Sequence, residues 1–180
     1  ALKIADALCR SNHDSRVLIV CTELCSLHFQ RSGSEDNLLA NALFDDGSAA
    51  VLVEAATNND LKLKLESFHN DLSKEGEQDM AWTVGDMGFE MRLSSYVPEI
   101  IRSGIAALTQ SLLGKISKKI LGVGHFAIHP GGKKILEVIE KELGLTQEQN
   151  RYAYHVLKQY GNMSSATVLF VLKELISNLT

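Results

Sequence analysis

Two short segments bring together residue types that can do acid–base or oxyanion chemistry: Ala127-Ile128-His129-Pro130-Gly131-Gly132 and Tyr160-Gly161-Asn162-Met163-Ser164-Ser165-Ala166. In the first, a histidine precedes two glycines that lead into a helical pattern. Glycines at such a place let a ligand approach the backbone, and the helix N-terminus adds unpaired N–H groups with partial positive charge. In the second, an asparagine sits in a turn ahead of an apolar helix, where its amide can donate into a pocket while Ser164 or Ser165 caps the helix. Each segment also has a plainer reading: a turn histidine bonded to backbone, and a turn asparagine able to take positive φ. From the residues alone both readings stand.

The thiols are a second source of chemistry. Cys9, Cys21 and Cys25 contain no CxxC pair. Cys21, Cys25 and His28 could approach a zinc ion, but a structural site takes four ligands and no matching pair follows. They read as free, buried or half-buried thiols, with no metal, as in a cytoplasmic protein.

These residues need elements to position them. Residues 1–10 read as a helix already under way, with Leu2, Ala5, Leu8 and Cys9 on one face. Arg16–Leu24 and Ser48–Glu54 are short β-branched or small-residue runs, predicted as strands buried on both faces. Asn37–Phe44 is predicted helical. The polar stretch 56–60 is the expected domain boundary, and Leu61, Leu63 and Leu65 alternate with lysines as in a strand with one wet face. Residues 69–80 read as a solvated loop and 82–93 as a strand or hairpin segment around Gly85 and Gly88. Val97-Pro98 opens a long helix, with proline where its missing N–H costs little. Phe126–Ile128 is a predicted short strand. Lys133–Leu143 is an amphipathic helix with Glu137 and Lys141 spaced to pair. Thr146 and Gln149 have capping-box spacing for a helix to about Gln159, and Ser164–Ile176 is apolar almost all round. Mixed strands and helices indicate an α/β layered fold.

Composition narrows the partners. The chain has 180 residues, 18 basic and 22 acidic, for a net charge of −4. That balance argues against nucleic acid as a partner. No apolar run approaches the ~20 residues of a membrane span, and the N-terminal residues do not read as a signal peptide.

The pair AIHPGG and YGNMSSATVLF resembles the histidine and asparagine motifs of type III polyketide synthases, the chalcone and stilbene synthase-like enzymes of the thiolase-like superfamily. RVLIVCTEL, ALFDDGSAAVLVE and GFEMRLSSYVPEII resemble further segments of that family in the same order, so the likeness covers residues 1–56 and 82–178. Ketoacyl-ACP synthases of type III typically carry HQAN and GNTSAA instead. The resemblance implies a layered α/β/α/β/α fold, incomplete here: residues 1–57 as the end of the first half, and 58–180 as the second half without its last strands. It implies a decarboxylative condensation of malonyl-CoA with an acyl-CoA starter through Cys-His-Asn chemistry, in a cytoplasmic homodimer without a cofactor. His129 and Asn162 would be catalytic, Phe44 and Phe89 the two phenylalanines at the cavity mouth, and Gly131 and Gly132 substrate-binding. The nucleophilic cysteine is expected a few residues before Ala1, so 1–180 alone should be inactive. Asp45 stands where the family usually has glycine, and Lys133-Lys134 where it commonly has Pro-Ala. The alternatives are a ketoacyl-ACP synthase III-like enzyme and a non-catalytic thiolase-fold protein.

Overall fold

Helix-period and strand-period segments alternate along the chain, and the computed structural model lays them out in that order. It describes residues 1–31, 33–55, 63–73, 76–77, 79–86, 88–94 and 96–179. The first unit is α1 (Leu2–Ser11), β1 (Arg16–Glu23), α2 (Glu35–Leu43) and β2 (Gly47–Glu54). β1 and β2 are antiparallel, with Ile19 opposite Val51 and Cys21 opposite Ala49. Helix α1 packs on both strands, seating Ala5 and Cys9 while Leu2 and Leu8 stay exposed. The Cys9 thiol donates to the Val53 carbonyl at 3.4 Å.

The strands are covered on one face only, which corrects the expectation that both would be buried. Leu18, Val20 and Leu52 are 63%, 60% and 54% exposed, whereas Cys21 and Ala49 pack against the main core. The apolar run marked strand type correctly; how many faces are covered depends on neighbouring elements, not on the run itself.

The second unit holds a hairpin and four helices. β3 (Met80–Gly85) and β4 (Gly88–Leu93) pair antiparallel with Gly85 opposite Gly88, the hairpin of the two readings that the segment allowed. Gly88 takes φ +115°, a conformation that side-chain-bearing residues avoid. β4 packs on α2 through Ala40, Met91 and Leu93. α3 (Val97–Gly114) lies on α4 (Lys133–Leu143). α5 (Arg151–Tyr160) and α6 (Thr167–Ser177) close the main core of Leu136, Ala153, Val156, Met163, Ala166 and Val171.

Several local expectations change. The polar break at 56–60 and the start of the Leu61–Leu65 alternation lie outside the described residues, and 63–68 form no strand. Phe126–Ile128 forms no strand with any described residue; Ala127 and Ile128 instead pack on the core. The capping box forms, with Gln149 N–H donating to Thr146 Oγ1 at 3.3 Å and Thr146 N–H to Gln149 Oε1 at 2.9 Å. It caps a turn; α5 itself begins at Arg151 after Asn150. On α4 the i,i+4 ion pair that forms is Lys133–Glu137 at 3.7 Å, one turn earlier than predicted.

Gly47, at the start of β2, packs directly against Met163 in the turn before α6. A Cβ there would lie 2.7 Å from the Cβ and Cγ of Met163, which is 2% exposed. Gly47→Val is therefore expected to destabilise the chain by about 1–3 kcal/mol through overpacking. The matching drop in Tm, of roughly 2–4 °C per kcal/mol, is measurable by circular dichroism.

Candidate active site

Asn162 is placed by backbone on both sides of Phe44. Its N–H donates to the Leu43 carbonyl at 2.9 Å, and its carbonyl accepts from Asp45 N–H at 3.0 Å. The two residues thus form a parallel bridge between the end of α2 and the turn before α6. Gly161 makes the turn with φ +65°, and a Cβ there would lie 3.1 Å from the Leu43 carbonyl oxygen. Only glycine suits this position.

The Asn162 side chain, 3% exposed, is oriented by its acceptor end. Oδ1 accepts from Ser164 N–H at 2.9 Å and from the Thr167 hydroxyl at 3.4 Å. Asn162 therefore caps the 164–166 turn, where Ser164 or Ser165 was expected to cap. Ser164 sits at φ +51°, a costly conformation for serine, held by that bond. Ser165 turns away, its hydroxyl donating to Glu23 at the end of β1. With Oδ1 occupied, Nδ2 faces the other way and donates to the Gly131 carbonyl at 3.3 Å. An amide nitrogen has two hydrogens, so one remains to offer a ligand.

His129 reaches the same glycine. A Cβ on Gly131 would contact His129 Cδ2 at 3.7 Å and Nε2 at 3.8 Å, and would crowd Ile135 Cδ1 at 3.1 Å. The missing side chain keeps open the space beside the imidazole. Pro130 is fully buried and anchors the loop, while Gly132 sits at the start of α4, 3.7 Å by the same measure from Leu43. The histidine keeps an exposed edge, yet the crowding by its neighbours removes enough water to lower its pKa. Asn162 is thus bonded to Gly131, two residues along the loop from His129, although 129 lies before α4 and 162 before α6.

The two phenylalanines differ. Phe44 lines a cavity of about 140 Å³ between α2 and the β3–β4 hairpin. Phe89 is 49% exposed and meets that cavity's wall through His28, edge-on at 5.5 Å between ring centres. His28 and Trp82, which also line the cavity, went unnoticed as site residues. The only sequence signal was a histidine three residues after a cysteine, and it pointed to zinc. A larger, open depression of about 410 Å³ near Arg10, Lys64 and Lys118 shares no residue with this site.

The three thiols sit in different environments. Cys9 is buried against the Val53 carbonyl. Cys21 packs on the core. The Cys25 thiol is pushed up in pKa, first by burial and then by Glu23, Asp46 and Asp45, the opposite of what a thiolate nucleophile needs.

The sequence model of the chalcone and stilbene synthase C-terminal domain matches residues 64–179, and that of the N-terminal domain matches residues 1–57. The chain belongs to this family. A chalcone synthase-named protein of Bacillus subtilis (strain 168) is 36% identical over 177 residues, covering 94% of the chain and 48% of that protein. The C-terminal type III polyketide synthase domain of Steely1 from Dictyostelium superposes with a TM-score of 0.89 at 33% identity, over 99% of the chain and 51% of the domain. A polyketide synthase of the brown alga Ectocarpus siliculosus gives a TM-score of 0.90 at 27% identity, over 97% and 47%. The family's fold is the thiolase-like α/β fold, and the chain spans about half of each of these synthases. Among the described residues, no helix is long and apolar enough to cross a membrane.

Proposed function

We propose that the intact protein is an acyltransferase that condenses malonyl-CoA, with loss of CO₂, onto an acyl-CoA starter, and that this chain supplies His129 and Asn162. The observation that carries the reading is the convergence of an imidazole and an oriented amide nitrogen on Gly131. Cleavage of the malonyl C–C bond releases CO₂ and leaves the electron pair as an enolate, with negative charge on the thioester oxygen. Two donors converging on that oxygen contribute about 3 kcal/mol each to the transition state. The enolate carbon then attacks the starter's thioester and expels the thiol that held it. No metal or redox step is needed in this scheme.

A starter held covalently needs a thiolate near His129; the Cys25 thiol is pushed up in pKa, Cys9 is bonded to the Val53 carbonyl and Cys21 packs on the core. In this reading the nucleophile is the cysteine that the family resemblance puts ahead of Ala1, in a cytoplasmic homodimer. Release of labelled CO₂ from malonyl-CoA tests it. The full-length enzyme is expected to turn over, and residues 1–180 alone to stay at background. Cys9→Ser, Cys21→Ser and Cys25→Ser in the full-length enzyme should each leave CO₂ release within a few-fold of the parent. Turnover by residues 1–180 that Cys25→Ser abolishes would overturn the assignment. A full-length enzyme that accepts malonyl only from an acyl carrier protein would favour a ketoacyl-ACP synthase-like reaction.

A further inference from the structure

Helices α4 and α5 are fastened to each other at both ends. At one end Asn162, just past α5, donates from Nδ2 to the carbonyl of Gly131, just ahead of α4. At the other, Glu140 near the end of α4 takes two hydrogen bonds from the start of α5. Its Oε1 accepts from Asn150 Nδ2 at 2.9 Å and its Oε2 from the Tyr154 hydroxyl at 3.2 Å. Between the two ends Leu136 packs with Ala153 and Val156.

The Glu140 end is built at a cost. Asn150 is 1% exposed, and its Oδ1 is buried without a hydrogen-bond partner. Such an atom calls for an explanation. Among the described residues the bond to Glu140 is the only one this side chain makes, so Glu140 alone orients the amide that opens α5. An apolar side chain would fill the space without an orphan; what the amide adds is direction.

Direction matters because of what the other end carries. Asn162 is fixed from the α2 side by main-chain bonds to Leu43 and Asp45. The loop of His129 and Gly131 has no such main-chain bridge among the described residues, so it goes where α4 goes. Glu140 lies eight residues beyond Gly132. At 1.5 Å per residue that is about 12 Å, so a swing of about 5° at Glu140 displaces the loop by about 1 Å. A misplacement of that size at reacting groups costs up to about 10²-fold. Packing of α3 on α4, with Arg102 reaching Glu142 at 3.7 Å, limits the swing.

We propose that Glu140 is a positioning residue of the candidate active site: by holding Asn150 and Tyr154 it sets how His129 and Gly131 approach Asn162, without touching a substrate. Its effect on rate rests on the condensing reading. In the full-length enzyme Glu140→Ala is expected to lower kcat for CO₂ release from malonyl-CoA about 5- to 30-fold, with KM within about 2-fold of the parent. Glu140→Gln keeps an acceptor for Tyr154 and adds a donor for Asn150 Oδ1, so it should recover most of the rate. Tyr154→Phe, which removes half of the clamp, should fall between the parent and Glu140→Ala. All are assayed well below their melting temperatures, where a helix that is merely less stable leaves kcat unchanged.

A second readout needs no turnover. In residues 1–180 the NMR signals of the His129 Cε1 proton and the Asn162 side-chain NH₂ should move in Glu140→Ala and return in Glu140→Gln. A kcat within about 2-fold of the parent in Glu140→Ala, a loss confined to KM, or Glu140→Gln as damaging as Glu140→Ala would overturn the proposal. Should Glu140→Ala not fold, Tyr154→Phe and Glu140→Gln carry the same comparison. A parent full-length enzyme that releases no CO₂ would strike the condensing reading, and the two NMR signals would then decide whether Glu140 places His129 against Asn162.

Discussion

Asn162→Ala is expected to cost about 2–4 kcal/mol of stability, and in the intact enzyme to lower malonyl-CoA decarboxylation about 10²- to 10³-fold. The stability loss follows from what the amide leaves behind. Thr167 is fully buried and gives its hydroxyl to Asn162 Oδ1, and Ser164 N–H depends on the same oxygen. A buried hydroxyl and a half-buried N–H left without acceptors cost up to about 1–3 kcal/mol each, the polypeptide relaxing to recover part. Ser164 also loses the bond that holds it at φ +51°. Thr167→Val removes one orphaned donor in advance, so the double variant should be less destabilised than the sum by about 1 kcal/mol. Urea unfolding of the four proteins measures this coupling; strict additivity would show that Oδ1 does not hold Thr167. The activity loss is that of one oxyanion donor.

His129→Gln in the intact enzyme is expected to lower turnover about 10²- to 10⁴-fold, because proton transfer and charge stabilisation would both suffer. The pH dependence carries a sign. Burial lowers the His129 pKa below its ordinary value, so the folded chain resists taking up a proton that the unfolded chain accepts near pH 6.5. Unfolded chain then binds more protons in that window, and stability falls as pH drops from about 6.5 through the folded-state value. Above pH 6.5 the term is constant. NMR titration of the His129 Cε1 proton should give a midpoint below 6.5, and the decline in stability on acidification should shrink in His129→Gln. A midpoint at or above 6.5 would mean that a nearby negative charge outweighs desolvation.

Much of this arrangement was legible in the residues, for physical reasons that differ by element. Gly85 and Gly88 marked β structure over 82–93 and a place where a reversal could fall, because a tight turn favours residues without Cβ, but not whether one strand or two would form. Lys133–Leu143 showed its helical period, and Gly161 its turn. Family membership was carried by the His129 and Asn162 segments. What escaped was decided by contacts distant in sequence. No local pattern says that Oδ1 of Asn162 will cap the turn while Ser165 is drawn to Glu23 across 142 positions. Nor does a run such as Arg16–Glu23 reveal that only its Cys21 side will be covered. His28 was invisible because a cavity is a property of three elements meeting, here α2, the hairpin and the turn after β1.

The bridge between Phe44 and Asn162 restricts how a condensing enzyme built on this chain could diverge. In the proposed condensing reading, a cavity wall and a donor to the reacting oxygen hang from the same pair of main-chain bonds, Asn162 N–H to Leu43 and Asp45 N–H to Asn162. A substitution at position 44 that shifts its backbone to make room for a larger product would carry the amide with it. Product range and reaction rate are then not independent traits at this locus. Lineages that change cavity shape would do so more readily at positions such as His28 or Met91, whose main chains are not bonded to residue 162, and variant libraries for altered products would gain more by sampling there than at Phe44.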